Sequence, residues 1–184
     1  MNKHFLSIAE LTKDEIFEIF DLTKELKEKT KNGEVHHLLK GKTLAMVFAK
    51  PSARTRISFE VGMFQLGGHA LYLSPNDIGI GTREAVKDVA RVLSGYNDGI
   101  MARLFGHEDI LELAEYSTVP VINGLTDLLH PCQIMADAFT ILEHRKTLDN
   151  LKVVYIGDGN NVANSWINFA SKVPMKLALA VPDK

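Results

Sequence analysis

The chain has 184 residues, of which 46% are hydrophobic and 24% are charged, and its formal net charge is −2 at pH 7. These proportions predict a soluble globular protein, and the small net charge without a Lys/Arg-rich block argues against a nucleic-acid surface. The one cysteine, Cys132, excludes an internal disulfide and a cysteine-based metal site and is interpreted as a small buried residue. Residues 1–20 contain acidic side chains and no continuous apolar run, which predicts neither a secretion signal nor a membrane span. A cytoplasmic protein is therefore expected.

The first part of the chain predicts a helix and then a buried strand. Thr12 and Glu15 have the spacing of a capping box, and apolar residues follow at helical intervals, so a helix is expected over residues 12–30. Asn32-Gly33 ends this pattern. The apolar run at residues 43–49 then predicts the first strand.

A second helix is predicted directly after that strand, within residues 50–60, KPSARTRISFE. Ile57, Val61 and Phe64 recur at i, i+4 and i+7, the spacing of one face of a helix. Ser52 then stands at the N-cap position, where its hydroxyl accepts a backbone hydrogen bond. The outward N–H groups and the helix dipole favour an anion at such a helix start.

Three further side chains in the first turn strengthen this hypothesis. Arg54 and Arg56 add two guanidinium groups, and Thr55 adds a hydroxyl. Positive side chains at a helix start oppose the helix dipole, so the arrangement is unfavourable unless an anion binds there. The stretch therefore predicts a phosphate-binding loop, and the alternative is a plain helix cap with two solvent-facing arginines.

The rest of the first half alternates between strands and helices. Further strands are predicted at residues 69–73, 99–102 and 119–122, and helices at 82–93, with Thr82 as cap, and at 107–117. The Gly- and Pro-containing segment 74–82 predicts a flexible loop. This alternation predicts an α/β fold, with a parallel sheet flanked by helices.

Two polar residues are expected to join Ser52 at one edge of this sheet. Arg103 directly follows a predicted strand, and His130 directly precedes a helix with Pro131 at its first position. Folds of this class bind ligands at the carboxyl ends of their strands. The convergence of Ser52, Arg103 and His130 there predicts a functional site.

Residues 145–150 are polar and predict a boundary between a domain at 1–145 and a second at 146–184. Beyond it, strands at 151–156 and 176–181 enclose the glycine turn GDGNN at 157–161 and a helix over 162–173. The turn lacks the third glycine of a dinucleotide fingerprint, so dinucleotide binding is a distant alternative. Asn160 and Asn161 instead offer amide groups to a polar, zwitterionic ligand. Two strands and one helix cannot bury a doubly wound core, so this domain is expected to be incomplete and the chain a fragment.

Three motifs resemble those of the aspartate/ornithine carbamoyltransferase family. The carbamoyl-phosphate loop of the family resembles FAKPSARTR at 48–56, followed by SFE at 58–60. A second family signature resembles HPCQ at 130–133 together with Asp137. The family's amino-acid-binding turn resembles GDGNN at 157–161. They occur in the family's order, and the resemblance covers nearly the whole chain. Lys50, Cys132 and Asn160-Asn161 favour the ornithine branch, because the aspartate branch usually has Glu, Thr and a basic-aromatic turn there.

The resemblance implies transfer of the carbamoyl group of carbamoyl phosphate to the δ-amino group of L-ornithine. The products would be L-citrulline and phosphate, as in arginine biosynthesis, and neither a metal nor a cofactor is expected. A homotrimer, or a multiple of trimers, with sites between subunits is also implied. Two alternatives stay open: an aspartate-type carbamoyltransferase, and a truncated, non-catalytic module that binds carbamoyl phosphate.

The resemblance also implies roles for individual residues. Those at the phosphate are Ser52, Ala53 through its backbone, Arg54 and Thr55. Three residues are implied at the carbamoyl group. Arg103 contacts both the phosphate and the carbonyl oxygen, His130 donates a hydrogen bond to that oxygen, and Gln133 binds the amine. Arg54, Arg103, His130 and Gln133 are the implied catalytic residues, and Asn161 is the implied contact to ornithine.

The chain departs from the family pattern in two respects. The loop before residue 82 usually supplies a Gln or His to the neighbouring subunit, but Gly79 stands at that position, with Asn76 as the nearest replacement. The family's later ornithine-binding and Cys-containing loops and its C-terminal helix would lie beyond residue 184. The chain is therefore expected to hold the carbamoyl-phosphate half of the site and little of the ornithine half.

Overall fold

The structure is a computed structural model that describes residues 4–81 and 83–182, and these residues form two separate parallel sheets. The larger sheet has the strand order β2-β1-β3-β4, and the smaller pairs β5 with β6. The strands are β1 (Thr43–Phe48), β2 (His69–Leu73), β3 (Gly99–Arg103), β4 (Val121–Leu125), β5 (Lys152–Ile156) and β6 (Lys176–Ala180). The predicted α/β class with a parallel sheet is confirmed.

Helices connect most of these strands. They are α1 (Lys13–Lys31), α2 (Ala53–Gln65), α3 (Pro75–Ile78), α4 (Val86–Tyr96), α5 (His107–Tyr116), α6 (Pro131–Arg145) and α7 (Asn161–Ala170). The predicted capping box of α1 is confirmed, because the N–H of Thr12 donates to Glu15 Oε2 at 2.8 Å and the N–H of Glu15 donates to Thr12 Oγ1 at 3.2 Å. Pro131 is the first residue of α6, as predicted.

The four-stranded sheet is covered on both faces. Ala45 and Val47 of β1 belong to a buried cluster that includes residues of α4 and α5. Leu44, Met46 and Phe48 belong to a second cluster that includes Met63 of α2. The central strand is therefore buried on both sides, which explains the continuous apolar run that predicted it.

A third buried cluster joins α7 to the first part of the chain. Trp166 and Phe169 of α7 pack with Phe20 of α1 and Phe139 of α6. The two-stranded sheet is less covered, since the side chain of Ile156 is 81% exposed. The domain boundary placed at residue 145 stays a prediction.

Several predicted elements begin elsewhere in the structure. β4 begins at Val121 rather than at residue 119, because Pro120 has no N–H for the ladder and contributes only its carbonyl, which accepts from Ile100 N at 2.9 Å. The helix predicted from residue 82 begins at Val86, and Thr82 itself lies outside the described residues. The segment predicted as a flexible loop contains α3.

The apolar spacing of Ile57, Val61 and Phe64 identified α2 but not its buried face. All three side chains are exposed, and that of Phe64 is 79% exposed. The side of α2 that packs on the sheet carries Phe59 and Met63, which are also four residues apart. The apolar periodicity thus located the helix correctly, but a different set of its side chains packs against the sheet.

Candidate active site

Parallel pairing brings the carboxyl ends of β1 and β3 together. Phe48 pairs with Arg103, and the N–H groups of Ala49 and Lys50 donate to the Arg103 carbonyl at 2.9 and 3.4 Å. The pairing of β3 with β4 shifts at this point, so that Gly124 is an extra residue opposite Arg103. Bulges of this kind redirect side chains at the ends of strands. Arg103 therefore lies at the sheet edge where sequence analysis expected it.

The start of α2 has the geometry predicted for an anion site. Ser52 is the N-cap residue, and its Oγ accepts from the N–H of Thr55 at 3.4 Å and donates to Thr55 Oγ1 at 3.1 Å. Helix geometry leaves the N–H groups of Ala53 and Arg54 without a partner inside the helix. Two backbone donors and two hydroxyls thus lie in one helical turn, where the dipole favours negative charge.

The two arginines of this turn differ in what they contact. Arg54 is exposed, and no carboxylate among the described residues lies within ion-pair distance of its guanidinium. Arg56 Nε donates to Glu60 Oε1 at 2.9 Å, and its guanidinium lies 4.0 Å from the centre of the Tyr72 ring. The expectation of two anion-binding guanidinium groups is corrected to one, because Arg56 is held by a carboxylate and an aromatic face.

Arg54, Arg103 and His130 form one electrostatic group. Burial and then the charge of Arg54 lower the pKa of Arg103, whose Nε donates to the Lys50 carbonyl at 3.2 Å. Burial and then the charge of Arg103 lower the pKa of His130 to about 4. His130 is therefore neutral at pH 7, and its buried Nδ1 has no hydrogen-bond partner among the described residues.

Gln133 lies beside this group, on the first turn of α6. Its side chain is exposed, and Nε2 donates to Asp137 Oδ1 at 2.8 Å. The amide is thereby oriented, because its nitrogen is engaged by the carboxylate and its Oε1 is left as an acceptor.

The asparagines of the GDGNN turn contact the protein itself. Asn160 is the N-cap of α7, and its Oδ1 accepts from the N–H groups of Val162 at 3.0 Å and Ala163 at 3.4 Å. The cap engages only the side-chain oxygen of Asn160, so the expectation that its amide contacts a ligand stays a prediction for Nδ2. Asn161 Nδ2 donates to the Thr126 carbonyl at 2.7 Å, which leaves its Oδ1 for other contacts.

Sequence reasoning missed the importance of the segment between β4 and α6. Thr126 is fully buried, and its Oγ1 lies 2.9 Å from His107 Nδ1. Lys50 Nζ lies 3.9 Å from Asp127 Oδ1 and 5.4 Å from the centre of the Phe105 ring. These residues have no periodic pattern, so no signal in the sequence pointed to them.

The described residues offer neither a metal site nor a reactive thiol. No group of three or more His, Cys, Asp or Glu side chains in residues 4–81 and 83–182 is arranged to hold a metal ion. Cys132 Sγ donates to the Asn123 carbonyl at 3.4 Å, and burial raises the pKa of its thiol to about 12, so it stays protonated. Within the same residues, no helix has both the length and the apolar composition needed to cross a membrane.

Comparison with known proteins identifies close relatives. Residues 3–143 match the family model described as aspartate/ornithine carbamoyltransferase, carbamoyl-P binding domain. The chain is 58% identical, over its whole length, to 60% of an ornithine carbamoyltransferase from Pelobacter propionicus. It is 55% identical, over 98% of its length, to 48% of a chloroplastic ornithine carbamoyltransferase from Pisum sativum. The chain thus spans about 60% of the length of the first of these curated relatives, and less of the second.

Solved structures support the same relationship. Ornithine carbamoyltransferase from Pyrococcus furiosus superposes with a TM-score of 0.93 at 49% identity, over 98% of this chain and 59% of that one. The catalytic subunit of M. jannaschii aspartate transcarbamoylase superposes with a TM-score of 0.89 at 32% identity, over 100% of this chain and 61% of that one. The motifs at the sheet edge, the matching family model and these relatives agree, and the chain belongs to the aspartate/ornithine carbamoyltransferase family.

Proposed function

We propose that the protein transfers the carbamoyl group of carbamoyl phosphate to the δ-amino group of L-ornithine, giving L-citrulline and phosphate. The observation that carries the proposal is the convergence of the α2 start, Arg54, Arg103 and neutral His130 at one edge of the four-stranded sheet. The acceptor follows from the relatives, since those named ornithine carbamoyltransferase are up to 58% identical and the aspartate enzyme is 32% identical.

The start of α2 would hold the phosphate of the substrate. The N–H groups of Ala53 and Arg54 and the hydroxyl of Thr55 supply donors to phosphate oxygens, and the Ser52 hydroxyl, which donates to Thr55 Oγ1, would turn to the phosphate when it binds. The guanidinium of Arg54 adds charge-assisted, bidentate bonds, which are the strongest that a side chain makes to phosphate. Arg103 interacts electrostatically with both Arg54 and His130, which supports a role for it at both the phosphate and the carbonyl oxygen.

His130 and Gln133 would act on the carbamoyl group. When the amine attacks the carbonyl carbon, negative charge develops on the carbonyl oxygen, and one preorganised donor there typically contributes about 3–4 kcal/mol. Neutral His130 can donate one N–H to that oxygen, and Gln133 Oε1 can accept from the carbamoyl amine. The C–N bond forms, the C–O bond to phosphate breaks with its electron pair leaving on phosphate, and the amine proton passes to the departing phosphate.

The ornithine half of the site has one proposed contact in this chain, Asn161. Its Nδ2 is engaged by the Thr126 carbonyl, so Oδ1 is the atom proposed to accept from the ornithine α-amino group. A module that binds carbamoyl phosphate without turnover is the second candidate, because the chain spans about 60% of its curated relatives and supplies only this one acceptor contact.

We also propose that the protein assembles as a homotrimer in the cytoplasm. The exposed apolar side chains of Ile57, Val61 and Phe64 on α2 support an interface on that helix. One cysteine and no disulfide pair suit a reducing compartment. Light scattering should give three times the subunit mass of 20.5 kDa, and Phe64→Glu should lower that mass; a monomeric wild type would contradict the assembly.

The substrate proposal is tested first by binding. Phosphonoacetamide has a methylene in place of the bridging oxygen of carbamoyl phosphate, and methylphosphonate lacks the amide. Calorimetry should show that the protein binds both compounds and binds phosphonoacetamide more tightly, because only that compound engages His130 and Gln133. Failure to bind either compound would contradict the phosphate site. Equal affinity for the two compounds would contradict the proposed contacts of His130 and Gln133 with the carbamoyl group.

Turnover is tested separately. The protein is incubated with carbamoyl phosphate and either L-ornithine or L-aspartate, and L-citrulline and N-carbamoyl-L-aspartate are quantified. L-citrulline as the product supports the proposal, whereas N-carbamoyl-L-aspartate alone contradicts the ornithine assignment. Binding of phosphonoacetamide without either product would support the non-catalytic module.

A further inference from the structure

The loop that carries His130 is held by side chains from the far end of the chain. Residues 126–130, here called the histidine loop, connect β4 to α6. The loop is closed on itself at Thr126, whose N–H donates to the Leu129 carbonyl at 2.8 Å and whose Oγ1 accepts from the Leu129 N–H at 3.1 Å. These bonds set the shape of the loop but do not attach it to neighbouring elements. Two other bonds tie the start of the loop to the segment after β3 and to α5: the Asp127 N–H donates to the Phe105 carbonyl at 3.0 Å, and Thr126 Oγ1 lies 2.9 Å from His107 Nδ1.

Three side chains on one face of α7 attach the loop along its whole length. Asn161 Nδ2 donates to the Thr126 carbonyl at 2.7 Å, Asn164 Nδ2 donates to the Leu128 carbonyl at 3.1 Å, and Ser165 Oγ accepts from the His130 N–H at 2.8 Å. Positions i, i+3 and i+4 lie side by side on a helix, so the three groups form one continuous row. The row contacts alternate residues of the histidine loop, from its first to its last.

The contact to His130 is the most constrained of the three. His130 is the N-cap residue of α6, with φ −135° and ψ 67°, so helix geometry does not fix its backbone. Ser165 is 1% exposed, and its hydroxyl is therefore a partner for which water does not compete. Removal of this acceptor would leave a largely desolvated N–H without a bond, which is costly enough to move the loop.

α7 itself is fixed on both sides of the row. Asn160 caps its first turn, and Trp166 and Phe169 pack in the buried cluster that contains α1 and α6. The phosphate cradle has different supports, since Ser52 bonds to its own helix and Arg103 bonds to the segment after β1. The cradle thus has supports other than the row on α7, and one link between the two halves is the exposed pair of Lys50 Nζ and Asp127 Oδ1, 3.9 Å apart.

We propose that Asn161, Asn164 and Ser165 are positioning residues that hold the histidine loop so that His130 meets the carbamoyl group, while the phosphate cradle is held independently of them. This inference rests on the proposed function, because it takes His130 as the donor to the carbonyl oxygen. It gives the start of the second predicted domain a role in the carbamoyl-phosphate half of the site.

The test compares Ser165→Ala with wild type, using phosphonoacetamide and methylphosphonate as probes. We expect the affinity for phosphonoacetamide to fall about tenfold, since loss of one buried hydrogen-bond partner is an effect of that size. The affinity for methylphosphonate should change less than about twofold, because the cradle keeps its contacts. Ser171→Ala is the matched control, since Ser171 is exposed at the other end of α7 and donates only to the Asn168 carbonyl at 2.7 Å.

A spectroscopic readout separates positioning from simple destabilisation. The imidazole carbon resonances of His130, assigned with His130→Gln, should shift in Ser165→Ala and stay unchanged in Ser171→Ala. If Ser165→Ala does not fold, Asn164→Ala serves instead, because it removes only the exposed middle contact of the row; we then expect a loss of about threefold for phosphonoacetamide alone.

Three results would overturn the inference or its basis. Unchanged affinity for phosphonoacetamide in the folded variant would show that the row does not position His130. Equal losses for both probes would show a structural role only. If wild type binds phosphonoacetamide no more tightly than methylphosphonate, the proposed function itself fails at its carbonyl half, whatever the variants do.

Discussion

The two parallel sheets of this chain are built from similar apolar strands, but only one of them is buried on both faces. In β1, the residues from Leu44 to Phe48 are all buried, because α2 packs on one face of the sheet and α4 and α5 on the other. In β5, Val154 is 56% exposed and Ile156 is 81% exposed, although strand pairing is regular. Strand pairing by itself therefore does not bury a parallel sheet; its connecting helices do.

This difference matters for the candidate site. The cradle of α2 and Arg103 extends directly from the buried sheet, and positions on rigid elements are held more closely than positions on loops. α7 belongs to the less covered unit, yet its inner side is buried with α1 and α6. The row of polar residues on α7 is thus as firmly supported as the cradle, while the outer face of β5 and β6 is not.

The largest expected effect contrasts the two sheets directly. Phe48→Ala should lower the free energy of unfolding by about 3–5 kcal/mol, because it removes a fully buried ring from the core. Ile156→Ala should change it by less than about 0.5 kcal/mol, since that side chain is mostly in solvent. Urea unfolding measures both, and a loss above about 2 kcal/mol for Ile156→Ala would show that the face of β5 is covered in solution.

The next prediction concerns the chemistry at the end of the buried sheet. Arg54→Ala should weaken phosphonoacetamide binding by about a hundredfold, because charge-assisted bonds to the phosphonate are lost. Arg56→Ala is the matched control and should change the affinity by less than about threefold, since Arg56 is held by Glu60 and Tyr72. Equal losses in the two variants, measured by calorimetry, would contradict the assignment of Arg54 as the single anion-binding arginine of this turn.

Substitutions at two helix caps test whether the two-stranded sheet with α7 unfolds together with the rest of the chain. Asn160→Ala removes the acceptor that caps α7 and should cost about 1 kcal/mol, while Asn160→Ser should restore most of it. Thr12→Ala, in the capping box of α1, should cost a similar amount. One unfolding transition that shifts in both variants would support a shared core, whereas two transitions, each sensitive to one cap, would show that the units are independent.

The last prediction is the pH dependence of stability that comes from His130. Its pKa is about 4 in the folded protein and 6.5 in the unfolded chain, so the unfolded state binds the extra proton first as the pH falls. The stability due to this group is complete above pH 6.5 and decreases as the pH falls towards 4. Urea midpoints across this range should decrease less in His130→Gln than in wild type, and an identical decrease would contradict a depressed pKa.

Local signals in the sequence predicted much of the fold correctly. The capping box at Thr12, the Ser52 cap and Pro131 each describe a helix start through bonds or geometry within a few residues, and all three are confirmed. Strand β2 was also predicted with its observed bounds, His69–Leu73. β4 was predicted to end too early, because Asn123 and Gly124 are typical of loops and only the neighbouring strand makes them part of a ladder.

By itself, the sequence determined the class of fold and the helix starts, and it predicted the anion site proposed after β1, because each depends on residues that are close in the chain. Tertiary structure placed the Tyr72 ring of β2 against Arg56, which adds to the local ion pair of Arg56 with Glu60 on the same helix and distinguishes it from Arg54. It also decided what holds His130, since Asn161, Asn164 and Ser165 reach the histidine loop from 35 to 36 residues away. Contacts over such separations depend on how helices and sheets pack, and packing leaves no local pattern in the sequence.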